Sequence, residues 1–377
     1  MLTASQLDLL PLPVLNLFER YHISILEDIA RRIANLDYAS AAWQAQRLNE
    51  AGLLYQDILQ RIADISGESE SVLRRIFQEA GVKAFRFDNR IYKAAGLQPL
   101  PLNLAPNVME ALMVGLRKTQ GTLQNLVRST AVSGQDAFYN ATDLAYMQIS
   151  TGTLDYNTAI RDAVTDVASQ GIDVIYYASG HRDKIDVAVR RATLTGVNQT
   201  VGEMTIARAD DMGVDLVETS AHIGARNKGD VPENHELWQG KVFTRGLDPK
   251  NAGKYPDFEK VTGYGTVTGL CGINCRHSFS VFFEGLSERN YDKKTLDEYA
   301  NKKVTYQGEE MSWYDATQEQ RKIERDIREA KRVAAAVEAA GLDAGDEKTV
   351  IRQLQAEMRD FVNQTGLNRQ YPREQVE

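Results

Sequence analysis

Residues 213–243 read GVDLVETSAHIGARNKGDVPENHELWQGKVF, and residues 255–279 read YPDFEKVTGYGTVTGLCGINCRHSF. Residues 214–219 (VDLVET) predict a short strand, and residues 241–243 (KVF) and 279–283 (FSVFF) predict two more. Between these runs, up to Gly285, glycine is dense and no helical period survives. A loop-rich stretch this long inside a compact protein is unusual, and is more often functional than idle.

Moving outward, the pattern turns helical. Residues 184–211 place Val187, Val189, Ala192, Val197, Val201, Met204 and Ile206 among the apolar positions of a long helix, weakened locally by Asn198 and Gly202 and ended by Gly213. Before it, residues 153–170 predict a helix closed by Gly171, and residues 172–177 (IDVIYY) predict a strand. The first third reads as helix after helix. Over 14–36, Leu15, Phe18, Ile25, Ile29, Ile33 and Leu36 form one apolar stripe. A second helix carries Trp43, Leu48, Leu54, Ile58, Ile62 and Ile65. A third is expected to begin near Ser69, where Glu68, Glu70 and Ser71 suit a helix start, and to end at Gly81. Pro99, Pro101 and Pro106 mark a linker before a further helix over 107–127. Near the C-terminus, Ile323, Ile327, Ala330, Ala334 and Val337 line a helix over 312–340, and a last helix is expected over 348–363.

The fold class that follows is α+β and predominantly helical. A helical N-terminal region (1–150) leads into a small mixed-strand, loop-rich α/β core (151–290), followed by a helical C-terminal arm (291–377). At 377 residues the chain exceeds what one core usually organises, so two or three substructures are expected. Apolar residues at 43% and charged residues at 25% suit a soluble folded protein. No apolar run approaches the roughly 20 residues that span a bilayer. The opening MLTASQLDLLPLPVL lacks the basic region and cleavage site of a secretory signal, so the chain is expected to stay in the cytoplasm where it is made. A net charge of −8 disfavours nonspecific binding to a phosphate backbone over the whole surface, but leaves room for a local basic patch.

The motifs occur in a fixed order. Residues 189–204 read VRRATLTGVNQTVGEM; then come SAHxGAR (220–226), HELWQGKVF (235–243), GYG (263–265), GLCGxNCRH (269–277) and YDATQEQRKIERDIREAKR (314–332). The series closely resembles the phage minor capsid protein 2 family, head proteins of siphophages and prophages of low-GC Gram-positive bacteria commonly encoded beside the portal protein. The resemblance implies a low-copy structural virion component near the portal vertex, acting in head morphogenesis or DNA passage, and not an enzyme. It implies portal protein and/or major capsid protein as partners, with phage DNA as a further one. It places the chain in the virion head, after assembly in the host cytoplasm. A more distant likeness, to the head-morphogenesis proteins of Mu-like phages, is analogy only.

Chemistry-bearing residues gather in the same segment. His222, His235 and His277 lie there with both cysteines, Cys271 and Cys275. In a cytoplasmic chain a structural disulfide is disfavoured, leaving reduced thiols or a metal site. Cys271, Cys275 and His277 put two thiols and an imidazole in one loop, and His222 or His235 can complete a tetrahedral zinc set. The spacing is not the paired Cys-x2-Cys of a zinc ribbon, and a hydrogen-bonded polar core without metal is the leading reading, with no cofactor otherwise expected. Arg226 and Arg276 are expected to clamp Glu218, Asp215 or backbone carbonyls; alternatively they hold a phosphate with the amides of Gly263, Gly265 and Gly269. Trp238 with Gly240 reads as a core aromatic beside a tight turn, and Tyr264 as a ring packed inward between two glycines. Two other functions compete with the structural one. His235, Asn274 and His277 are the residue types of a metal-dependent nuclease, the enzyme alternative along with nucleotide handling. Arg321, Lys322, Arg325, Arg328, Lys331 and Arg332 form either a solvated helix face or a basic ridge for DNA.

Overall fold

The structure, a computed structural model, describes residues 1–176 and 182–376. Helix takes 66% of the chain and strand 6%, which makes the class α+β with helix dominant. The chain forms two compact units, each assembled from three separate segments. One comprises Met1–Leu12, Ser71–Gly121 and Arg191–Gln318; the other comprises Pro13–Glu70, Thr122–Arg190 and Glu319–Glu377. These units cut across the three consecutive stretches into which composition divides the sequence.

The short helix α1 (Ala4–Leu9) starts with a capping box between Thr3 and Gln6. Helix α2 (Leu12–Asn35) buries the predicted stripe, including Phe18, Ile25, Ile29 and Ile33. The second and third predicted helices are one continuous helix, α3 (Trp43–Ala94). The expected break near Ser69 does not occur. Ser66 Oγ donates to the Ile62 carbonyl at 2.7 Å and Ser69 Oγ to the Ser66 carbonyl at 3.0 Å, so both hydroxyls bond back onto the helix and do not cap a new one. Gly81 is no terminator either: Met204 and Leu112 lie 3.1 and 3.4 Å from the place of its missing Cβ, so its smallness admits neighbouring helices.

Helix α4 (Pro106–Ser150) begins at Pro106, where the missing N–H costs no helical bond, and runs far beyond the expected end at 127. Helix α5 (Tyr156–Gln170) starts three residues later than expected because Asp155 caps it, accepting from the amides of Asn157 and Thr158; Gly171 closes it. Strand β1 (Asp173–Tyr176) pairs antiparallel with β2 (Arg182–Lys184); Tyr177, the last residue of the predicted strand, lies outside the described residues. Helix α6 (Ile185–Asp211) matches its prediction closely.

The first unit contains the sheet on which the motif segment is built. Strand β3 (Leu216–Thr219) is central, flanked antiparallel by β4 (Val242–Thr244) and β5 (Phe279–Val281). All four β3 residues are buried. The two-residue period separates its faces: Val217, Phe243 and Phe279 pack with Trp238, Phe258 and Leu270, while Leu216, Val242 and Phe282 form a second cluster. A five-residue helix, α7 (Phe258–Thr262), sits between β4 and β5.

The C-terminal part is not uniformly helical. Helix α8 (Lys293–Ala300) precedes a hairpin, β6 (Lys303–Tyr306) and β7 (Glu309–Ser312), which the sequence reading overlooked. Its signal was present in the two-residue turn Gln307-Gly308, both at positive φ. Helices α9 (Trp313–Ala339) and α10 (Gly345–Thr365) follow as expected.

Candidate functional site

The two connections of the β4–β3–β5 sheet carry the motif residues. His222 follows β3 by three residues, His235 opens a 3-10 turn over His235–Leu237, and His277 lies two residues before β5. Trp238 fills the space between these loops; it is fully buried and its indole Nε1 donates to the Pro232 carbonyl at 2.9 Å. The rings of His235 and His277 stand 4.6 and 4.9 Å from its ring. Gly240 is beside it at φ 64°, and a Cβ there would come within 2.6 Å of Leu296, so both backbone and space require glycine. Tyr264 packs inward against Phe258 and Phe279, as predicted.

Three of the five predicted ligands converge. Cys275 Sγ lies 3.8 Å from His235 Nδ1 and 3.7 Å from His277 Nδ1, and the three atoms all fall within 4.8 Å of one another. The other two predicted ligands stand aside. His222 Nδ1 is 2.9 Å from its neighbour's carbonyl at Ile223, and its ring stacks on His277 at 4.4 Å. Cys271 Sγ is 3.9 Å from the His277 carbonyl. Both cysteines are buried free thiols.

Hydrogen bonds fix the tautomers of the two converging imidazoles. His235 Nε2 is 2.8 Å from the Thr268 carbonyl, an acceptor only, so Nε2 carries the proton. His277 Nε2 is 3.1 Å from Gln239 Oε1. That atom also receives the His222 backbone N–H at 3.0 Å, which identifies it as the amide oxygen and makes His277 Nε2 a donor as well. Both Nδ1 lone pairs therefore face the one sulfur. Burial drives the His235 pKa down to about 4 and that of His277 well below the ordinary value, so both rings are neutral. Burial pushes the Cys275 thiol up, while the His277 amide, donating to Sγ at 3.4 Å, works the other way.

The backbone around the cluster is tightly held. Asn198 of α6 donates from Nδ2 to the carbonyls of Cys275 and His277, at 3.1 and 2.9 Å. Cys271 and Asn274 adopt left-handed φ of 60° and 56°, which shapes the turn between the two thiols. Ser278 donates to the Leu2 carbonyl at 2.6 Å, tying the N-terminal segment to the same loop. Gln239, Thr268 and the N-terminal residues carry no sequence signal for this site, and Asn198 shows in the sequence only as a weak helix position.

The two arginines take different partners. Arg226 reaches the carbonyls of Thr268 and Ile273 at 3.2 and 3.4 Å, the backbone option foreseen for it. Arg276 pairs with Asp8 at 3.2 Å and donates to the Gly224 carbonyl, so its carboxylate is neither Glu218 nor Asp215. Glu218 is taken by Arg289 and Asn290. Burial opposes charge on Asp215, yet bonds from Thr244, Asn251 and the amides of Leu247 and Arg245 hold its carboxyl below the ordinary range. The amides of Gly263 and Gly269 donate to Glu259 and Thr266, so the phosphate cradle drawn from Arg226, Arg276, Gly263, Gly265 and Gly269 is largely consumed by internal bonds.

The predicted basic ridge on α9, in the second unit, is not a free surface. Arg332 is 3% exposed, and Arg328 pairs with Asp186 at 2.8 Å and with Glu19 at 3.7 Å. Lys331 donates to the Glu374 carbonyl. Of the six cations only Lys322 and Arg325 are exposed. Two of the residues that make a ridge on a helical projection, Arg328 and Arg332, turn to carboxylates brought in from α2 and α6.

The members of this cluster are buried and bound largely by one another, and two relatives of the chain are described as structural proteins. A "Structural protein" of Lactococcus phage LL-H is 25% identical over 349 residues, covering 88% of each chain. Another "Structural protein", from Lactococcus phage mv4, is 31% identical over 135 residues, 34% of this chain and 98% of that one. The description of the family Phage minor capsid protein 2 matches residues 2–363, and the chain belongs to that family. No solved structure matches the chain.

Proposed function

We propose that the protein is built into the phage head as a low-copy minor capsid component at the portal vertex, where it contacts portal or major capsid subunits during head assembly or DNA passage. On this reading it is made in the host cytoplasm, ends in the virion and turns over no substrate. The family match over residues 2–363 carries the proposal. The burial of the motif residues supports its non-catalytic part: His235, Cys275 and His277 are 2%, 2% and 1% exposed, so a phosphodiester has no path to the groups a nuclease would use. Among the described residues no helix is long and apolar enough to cross a membrane.

Affinity purification of the tagged chain from infected or induced cells tests the placement. Portal protein is expected to co-purify, and label on intact heads is expected at a single vertex. Label spread over all vertices, or absence from mature heads, rejects it. Incubation with phage DNA and a divalent ion tests the other half; sustained cleavage by the purified protein would show it to be an enzyme.

A further inference from the structure

The cluster around Cys275 has one acceptor too many. A thiol carries a single proton, yet two imidazole lone pairs, those of His235 Nδ1 and His277 Nδ1, point at the same sulfur from 3.8 and 3.7 Å. The remaining ring nitrogens cannot relieve the excess, because each is committed as a donor to the Thr268 carbonyl or to Gln239 Oε1. All three residues are buried, so solvent does not make up the deficit. A cation among the three atoms removes the mismatch. It uses both lone pairs and takes a thiolate in place of the thiol, with the thiol proton released to solvent.

We propose that His235 Nδ1, Cys275 Sγ and His277 Nδ1 supply three ligands to one divalent transition ion of the zinc class, which pins the two motif loops over the sheet and leaves its fourth tetrahedral position to a non-protein ligand. The donor set of two imidazoles and one thiolate suits a borderline-soft ion and not calcium or magnesium, which take oxygen ligands. Zinc bonds of about 2.3 Å to sulfur and about 2.0–2.1 Å to nitrogen put tetrahedral S and N ligands about 3.5 Å apart. The sulfur–nitrogen separations here, 3.7 and 3.8 Å, are within a few tenths of an ångström of that value, and the two nitrogens, which with the sulfur lie within 4.8 Å of one another, draw together as the ion binds.

The surroundings have the second layer that metal sites use. Each histidine donates its outer N–H to an oxygen, which fixes the tautomer and aims the inner nitrogen. The His277 amide donates to the Cys275 sulfur at 3.4 Å, a bond that favours the thiolate. Asn198 clamps the carbonyls of Cys275 and His277, so the ligand loop keeps its shape. Arg226 and Arg276 brace the same loops, their own bonds going to the carbonyls of Thr268 and Ile273 and to Asp8. Trp238, Leu270 and Phe279 wall off the site.

The test uses the full chain, stripped with a chelator and titrated with Zn(II) or Co(II) under reducing conditions. One equivalent is expected per chain. The cobalt form is expected to show the near-ultraviolet absorption of a sulfur–cobalt bond and the intense visible bands of low coordination. Cys275→Ser should abolish the sulfur band, and Cys271→Ser should keep one equivalent bound. Gln239→Leu, which removes the acceptor orienting His277, should weaken binding about 10–100-fold. Circular dichroism of each variant separates loss of the ion from loss of fold. Folded wild-type protein that takes up no stoichiometric ion overturns the proposal. A sulfur band that survives Cys275→Ser but not Cys271→Ser overturns the ligand assignment.

Discussion

Gly115 of α4 lies so close to Thr200 of α6 that a Cβ on the glycine would sit 1.8 Å from the threonine Oγ1. The relationship is reciprocal: a Cβ on Gly196 of α6 would sit 2.1 Å from Oγ1 of Thr119 on α4. Each helix therefore presents Gly-x3-Thr, with the glycine of one receiving the threonine of the other. Thr200 Oγ1 is held by a 2.8 Å bond to the Gly196 carbonyl, so it cannot simply swing away. Two helices of the first unit thereby approach at backbone distance, and α6 delivers Asn198, which lies between Gly196 and Thr200, to the motif loop.

Gly115→Ala and Gly196→Ala should each destabilise by about 1–3 kcal/mol from overpacking, despite the gain of up to about 1 kcal/mol that alanine brings to a helix interior. Gly52→Ala is the control: it also lies within a helix, with no atom within 4 Å of the added Cβ, and should stabilise. Urea midpoints decide it, and the same sign for all three variants would refute the interlock.

Arg328→Ala should cost about 3–5 kcal/mol, because it leaves the buried Asp186 carboxylate without its 2.8 Å ion pair and takes one of two arginines away from Glu19. Its effect on DNA retention should be nil once folding is accounted for. A gel-shift series across salt concentrations, run on the folded variant, checks this; a salt-dependent affinity lost with Arg328 would restore the basic ridge.

His22 gives the second unit an acid-side pH dependence. It is fully buried, and its Nε2 accepts the Ile172 amide at 3.0 Å, a bond that needs the neutral ring. Burial first, and then Arg332, lower its pKa to about 3. The unfolded chain regains an ordinary value near 6.5, so it binds the proton more readily than the fold does. Stability from this group is whole above pH ~6.5 and is lost as pH falls from there toward 3. Burial raises the neighbouring Glu19, whose contribution runs oppositely, being lost as pH rises. His22→Gln keeps an acceptor without the titration. Its stability between pH 7 and 4 should fall less steeply than that of wild type, by up to about 1.4 kcal/mol per pH unit. Parallel curves for the two proteins would exclude His22 as the source.

Asp8→Ala should free the N-terminal segment. Asp8 and Arg276 are each only 14% exposed in their side chains, and the lost pair is expected to cost about 1–3 kcal/mol. Limited proteolysis should then cut within Met1–Leu12 faster than in wild type; unchanged cleavage would mean that the Leu2 carbonyl bond to Ser278 holds the segment alone.

Most helices were legible because a 3.6-residue apolar period survives in one dimension, as over 14–36 and 184–211. The errors fell where glycine or serine has two physical uses. Gly171 and Gly213 end helices, whereas Gly81 sits inside one to make room for Met204. Which use applies depends on a neighbour more than 100 residues away, and no local pattern reports it. The hairpin over 303–312 was missed for a different reason: its strands are short and largely exposed, so they lack the apolar alternation that marks a half-buried strand.

The sequence by itself determined the helical class, the family and the set of groups from which a site can be built, since periodicity, motif order and side-chain chemistry are properties of the chain. Tertiary structure alone decided that His235, Cys275 and His277 converge while His222 and Cys271 do not, and that Arg328 and Arg332 of α9 turn inward to Glu19 and Asp186. The reason is that a lone pair or a guanidinium acquires a direction only from its partners. Thr268, Gln239 and Glu19 are supplied by other segments, and folding must bring them into place.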